Sequence, residues 1–144
     1  MTKADPAGRR RAREAALQML YQWEVGRAGA YEAVTTYWPA HDPDAEVGEE
    51  HRAFANTLVR GTIERLPEID ALVTARAQNW RLERMAVIDR LVLRLAVFEL
   101  LSGPETPPKV VINEALELAR TFSGDESVAF VNGILDAVRK DLGR

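Results

Sequence analysis

Arg9, Arg10, Arg11 and Arg13 stand within five positions in "GRRRARE", residues 8–14, directly before the apolar "AALQMLYQW". Guanidinium forks bind phosphate oxygens in pairs and lie flat on aromatic bases, so a cluster of this kind could hold a nucleic acid. The partial positive charge of a helix N-terminus disfavours cations in the first turn by a few tenths of a kcal/mol each. Glu14 can pair with Arg10 at i+4, but one carboxylate does not balance the cluster. A docked anion would reverse the effect, because helix N–H groups and guanidiniums would converge on the same oxygens. The alternative is a frayed, solvated basic end. With a net charge of -3 and a pI near 5.5, the chain cannot coat nucleic acid through bulk charge. Any binding has to be local.

Other constellations are thin. His41 and His51, with Asp42 and Asp44 in "HDPD", could in principle offer ligands to a metal, but no HExxH, EF-hand or thiolate spacing accompanies them. A solvated acidic loop is the simpler reading, and no metal site is expected. The chain has no cysteine, which excludes disulfides and thiolate sites and fits a reducing cytosol. No glycine-rich phosphate loop follows a strand, and no Ser, His and Asp set sits in a nucleophile motif. Glu114 and Glu117 read as the wet face of a helix. The residues therefore suggest a binding module without cofactors and not an enzyme.

The elements that must position these residues are helical throughout. A chain of 144 residues, 47% hydrophobic and 28% charged, fits one folded domain. Ala16, Leu20 and Trp23, with Leu17 and Tyr21 beside them, stripe a first helix from Arg9 to Arg27, behind a flexible tail over residues 1–8. A short helix over Ala30–Trp38 is expected to end at Pro39, before the polar connection "PAHDPDAEVGEE". Phe54, Ala55, Leu58, Val59, Thr62 and Ile63 mark the next, over Glu49–Leu66. Pro67 restarts the chain, and Ile69, Leu72, Val73 and Trp80 predict a further helix. "RMAVIDRLVLRLAVFELLSG" is apolar in nearly every direction and belongs in the middle of a bundle. Pro107-Pro108 opens a helix lined by Val111, Ala115, Leu118 and Phe122, and the last runs from Asp125 to Leu142. Seven helices and no strands predict an all-α bundle with a small N-terminal and a larger C-terminal part. Trp23, Trp80 and Phe98 are expected in the core. The opening residues lack a signal-peptide segment, and charges interrupt the longest apolar stretch, so a cytoplasmic protein without a membrane partner is expected.

Three ordered motifs, "NWRLERMAVIDRLVLRLAVFEL" (79–100), "VVINEALELARTFS" (110–123) and "SVAFVNGILD" (127–136), resemble the successive signatures of the NusB family of bacterial transcription antitermination factors. "RRRARE" followed by "LYQWE" resembles that family's first helix, and the likeness spans about Arg9 to Asp136. It implies two small helical bundles that bind boxA, a short single-stranded segment of ribosomal-RNA leader transcripts. Binding would occur together with NusE, also a small-subunit ribosomal protein, and would help RNA polymerase, with other Nus factors, pass terminators and pausing signals.

By this resemblance Arg9, Arg10, Arg11 and Arg13 face RNA, as does Phe130, whose alternative is core packing. Glu126 falls at an acidic position that affects antitermination, and could equally be a first-turn carboxylate favoured by the helix dipole. Ala129 stands where many members carry lysine. Tyr21 and Asp89 match positions on the NusE-facing side, with core packing and a local ion pair as their alternatives. Gly133 is read as permitting close helix approach. Members differ in whether they self-associate, so a homodimer stays open. Such domains also precede ribosomal-RNA cytosine methyltransferase domains as RNA-binding appendages, for which this chain has no room. A protein-interaction adaptor, its arginines serving only solubility, is the third reading.

Overall fold

In a computed structural model, residues 5–144 are described except Asn79 and Pro104. The start of the expected tail, the first residue of the 79–100 motif and one proline of the interhelical break therefore lie outside the described residues. Among the described residues there are seven α-helices, one 3₁₀ turn and no strand: α1 (Pro6–Glu24), α2 (Ala30–His41), α3 (Glu49–Glu64), α4 (Leu66–Arg76), the turn Leu82–Arg84, α5 (Val87–Leu101), α6 (Pro108–Phe122) and α7 (Asp125–Asp141). The all-α expectation holds. The chain divides into two compact units, residues 1–63 and 64–144.

In the first unit α1 starts earlier than periodicity implied. Asp5 caps it by accepting a hydrogen bond from the Gly8 N–H at 3.2 Å, and Pro6 occupies the first turn, where its missing N–H costs nothing. Residues 6–8, expected in a tail, are thus helical. Ala12, Ala15, Ala16, Leu17, Met19 and Leu20 form the buried face of α1, and α2 packs against that helix. α2 does not stop at Pro39 but continues to His41. So close to the C-terminus, the proline forgoes one N–H and the last turn still closes, with the Asp42 N–H donating to the Trp38 carbonyl at 2.8 Å. Ala55, Leu58, Val59 and Thr62 line the buried side of α3.

The second unit is built around α5, in which every residue from Asp89 to Leu100 is buried. α4, α6 and α7 pack on it and α7 also meets α4 and α6, so the all-round apolar pattern of α5 reflects a central position. Arg94 is held inside by a fork on Asp70, Nε–Oδ1 2.8 Å and Nη2–Oδ2 3.0 Å, which neutralises a charge the core could not otherwise accept.

Two sequence expectations fail in this unit. Trp80, assigned to the core, is 55% exposed, because α4 ends at Arg76 and the chain breaks at Gln78, whose φ is 55°. Gly133 permits no close approach: it is exposed, and a Cβ built there meets nothing within 4 Å. Gly133→Ala is therefore expected to stabilise the protein by about 1 kcal/mol, the helix-interior difference between the two residues. Urea denaturation checks this, and an unchanged or lower midpoint would show that the backbone there is constrained in some other way.

Candidate nucleic-acid interface

The four arginines of α1 do not share one environment. Arg10 and Arg11 are exposed, Arg9 is half-buried and Arg13 is 3% exposed. Phe54 of α3 organises two of them. The Arg9 guanidinium lies 3.9 Å from its ring centroid and that of Arg13 lies at 5.3 Å. A cation over an aromatic face is stabilised by roughly 0.5–2 kcal/mol, more when water is excluded. Helical spacing explains two of them: Arg13 stands one turn before Ala16 and Leu17 on the buried stripe, whereas Arg11 projects from the opposite side.

The start of α1 is seated by close backbone approach. The His51 imidazole, 8% exposed, rests where a Gly8 side chain would be: a Cβ at Gly8 would come within 2.1 Å of the ring. His51 Nε2 also stands 4.0 Å from the Asp5 carboxylate, beside the helix cap.

Asp42, expected in a solvated acidic loop, is buried and holds the α2–α3 connection together. Its carboxylate accepts hydrogen bonds from the N–H groups of Val47 at 2.9 Å and Glu46 at 3.0 Å, and from Arg52 at 2.7 Å, with Arg11 at 3.8 Å. Arg52 in turn lies 4.8 Å from the Trp38 ring centroid. The Val47 N–H, the largest influence, draws the Asp42 carboxyl below its ordinary value with help from Arg52 and Glu46, while burial opposes the shift. A depressed folded-state pKa contributes stability that is full above the unfolded value of about 3.9 and lost as pH falls through the folded one. The stability gap between wild type and Asp42→Asn is therefore expected to narrow as the pH drops from about 5 to about 2. Urea midpoints across that range check it, and a constant gap would count against the assignment. His41 instead stacks on Tyr37, centroids 4.2 Å apart, and its Nδ1 lies 3.0 Å from the Tyr37 carbonyl.

Tyr21 is 39% exposed, further along α1. In the second unit Asp89, Glu126 and Phe130, which the family resemblance divided between protein and RNA contact, come together with Trp80, Arg84 and Ser127 around one cavity of about 310 Å³. Trp80 and Phe130 meet edge to face, centroids 6.0 Å apart. The Arg90 guanidinium donates to the Leu82 carbonyl at 3.0 Å, fixing the 3₁₀ turn that follows Trp80. Phe54, Trp80, Ser127 and Asp42 are thus the residues that sequence reasoning missed. Phe54 and Trp80 were visible as aromatics, but only tertiary structure shows what they support.

An arginine-rich helix start and an aromatic, acid-lined cavity, carried on all-helical units, are the site features of a binding protein. The family model described as "NusB family" matches residues 10–140, and the chain belongs to the NusB family. It is 48% identical over 136 residues to "Transcription antitermination protein NusB" of Solibacter usitatus, covering 94% of this chain and 91% of that one. The protein of the same name from Myxococcus xanthus is 46% identical over 136 residues, covering 94% and 97%. Among solved structures, T. maritima NusB superposes with a TM-score of 0.82 at 36% identity, covering 92% of this chain and 91% of that one. The chain in a crystal structure of antitermination factors NusB and NusE in complex with dsRNA shares the fold, with a TM-score of 0.80 at 24% identity, covering 94% and 98%.

Proposed function

We infer that this chain is a non-catalytic transcription antitermination factor that binds boxA-type single-stranded RNA of ribosomal-RNA leaders together with NusE and so aids processive transcription. The relatives that match along nearly their whole length carry the antitermination name. The observation that carries the RNA reading is the start of α1, where Arg10 and Arg11 are exposed and Arg9 is braced on Phe54. A guanidinium ordered as that of Arg9 is can meet a phosphate at little entropic cost. Arg13 braces the same helix from beneath. Phe130 and Glu126 contribute a second RNA contact in this reading, and an aromatic ring beside an open cavity suits a stacked base. Tyr21, exposed on α1, and Asp89 are assigned to the NusE side. The chain works as a single RNA-binding domain in the cytoplasm, within the RNA polymerase elongation complex and its other Nus factors. No helix among the described residues is long and apolar enough to cross a membrane.

The test is titration of a labelled boxA-like RNA with the protein, with and without NusE, at two salt concentrations, beside a scrambled RNA. Tighter, sequence-dependent binding with NusE is expected. Failure to bind either RNA, while association with NusE is independently confirmed, would leave a protein adaptor and overturn the RNA assignment.

A further inference from the structure

The Arg9 side chain has no hydrogen bond or ion pair among the described residues, and its guanidinium rests on Phe54, 3.9 Å from the ring centroid. Its neighbours differ. Arg13 is buried, and Arg11 has the Asp42 carboxylate at 3.8 Å. His51 and Phe54 stand one turn apart on α3, so the chain neighbours Gly8 and Arg9 rest on successive side chains of one helix face. That seat holds the guanidinium without engaging its N–H groups. A guanidinium is a plane with two faces and a rim of five N–H donors. Phe54 lies against one face, and Arg9 stays half-buried rather than enclosed. Guanidinium faces are weakly hydrated and stack on π-systems, whereas the rim binds water or an anion. A nucleobase on the second face and a phosphate on the rim therefore do not compete.

We propose that one base of the bound RNA strand stacks on the face of Arg9 opposite Phe54, making a layer of ring, guanidinium and base, while the N–H rim of Arg9 takes a phosphate. Phe54 is the positioning residue of this site: it holds the guanidinium plane and does not itself meet the RNA. Every base has a π-face, so a stack of this kind supports affinity and the placing of the strand, not the reading of its sequence. The inference rests on the RNA-binding reading above and gives Arg9 a role that charge alone cannot fill.

Arg9→Lys separates the two contributions, because lysine keeps the charge and loses the plane. The full-length protein and this variant, each with NusE, are titrated with the labelled boxA-like RNA and with the same strand made abasic at one nucleotide at a time. Arg9→Lys is expected to weaken the intact strand about tenfold while the slope of log K against log salt stays unchanged. At one position, removal of the base should weaken binding to the wild type about tenfold and to the variant not at all. Phe54→Leu should behave as Arg9→Lys does, and Phe54→Tyr, which restores an aromatic face, should recover most of the affinity that leucine loses. Arg9→Lys changes a half-buried residue and keeps its charge, so a destabilised Phe54→Leu protein leaves the decision with it. Equal affinity of the wild type and Arg9→Lys for the intact strand, or a loss in Arg9→Lys that is the same on every abasic strand, would overturn the stack while leaving RNA binding intact. Failure of the wild type to bind the intact strand would overturn both.

Discussion

Arg13→Ala is expected to lower unfolding stability by about 2–3 kcal/mol and to leave the salt dependence of RNA binding unchanged, whereas Arg10→Ala should do the reverse. Arg13 is buried, and its guanidinium lies over Phe54, so truncation removes both stem packing and a cation–aromatic contact from a water-poor site. Arg10 is exposed, and surface substitutions of this kind usually change stability by no more than about 0.5 kcal/mol. Each arginine that neutralises a phosphate on single-stranded RNA contributes about -0.7 to the slope of log K against log salt. With Arg13 inside, the helix start contributes from Arg9, Arg10 and Arg11, so its share of the slope is about -0.7 × 3, or roughly -2.1. Four phosphate contacts, the count the bare sequence suggests, would give roughly -2.8. Binding isotherms at several salt concentrations, paired with urea denaturation, separate the two roles. A slope flattened by about 0.7 in Arg13→Ala and unchanged in Arg10→Ala would overturn the division.

That division marks how far the site could be read from residues alone. The placement of Arg13 was legible: it lies three and four positions before Ala16 and Leu17 and seven before Leu20, so periodicity puts it on the buried stripe. The family resemblance groups it instead with its RNA-facing neighbours. The seven helices were also legible, because amphipathic spacing and prolines mark most of them, and the uninterrupted apolar run of α5 could only be central. Trp80 was not. Its assignment extended the α4 pattern through Gln78, a residue type that gives no warning of the positive φ at which the chain turns. Nor was Asp42, since a carboxylate beside two prolines and a second aspartate resembles a solvated loop. Its role depends on Val47, Arg52 and Arg11 converging on it, which no local pattern encodes. The cavity of the second unit belongs to the same kind: Phe130 is far from Trp80 and Asp89 in the chain, and the three share a wall only once α5 and α7 have packed.

Gly8→Ala tests whether the seating of α1 on His51 positions the arginines. Two effects of opposite sign compete. Alanine is favoured over glycine in a helix by about 1 kcal/mol, so an unobstructed site would gain stability. At Gly8, however, the new Cβ would lie 2.1 Å from His51 Cε1 and 2.6 Å from each ring nitrogen. The ring is buried and cannot swing aside as an exposed side chain could, so either α3 yields or the first turn of α1 lifts. Overpacking of this kind costs about 1–3 kcal/mol, which offsets the helix preference, and a net loss is expected. Lifting the first turn also draws Arg9 away from Phe54 and moves Arg10 and Arg11, so RNA affinity should fall along with stability. Removing the ring should release the constraint. In the double variant Gly8→Ala, His51→Ala the alanine at position 8 should regain its ordinary helix advantage, giving a coupling between the two sites of more than about 1 kcal/mol. Equal effects of Gly8→Ala with and without the His51 ring would show that the helix start is held in place by Asp5 and Phe54 alone.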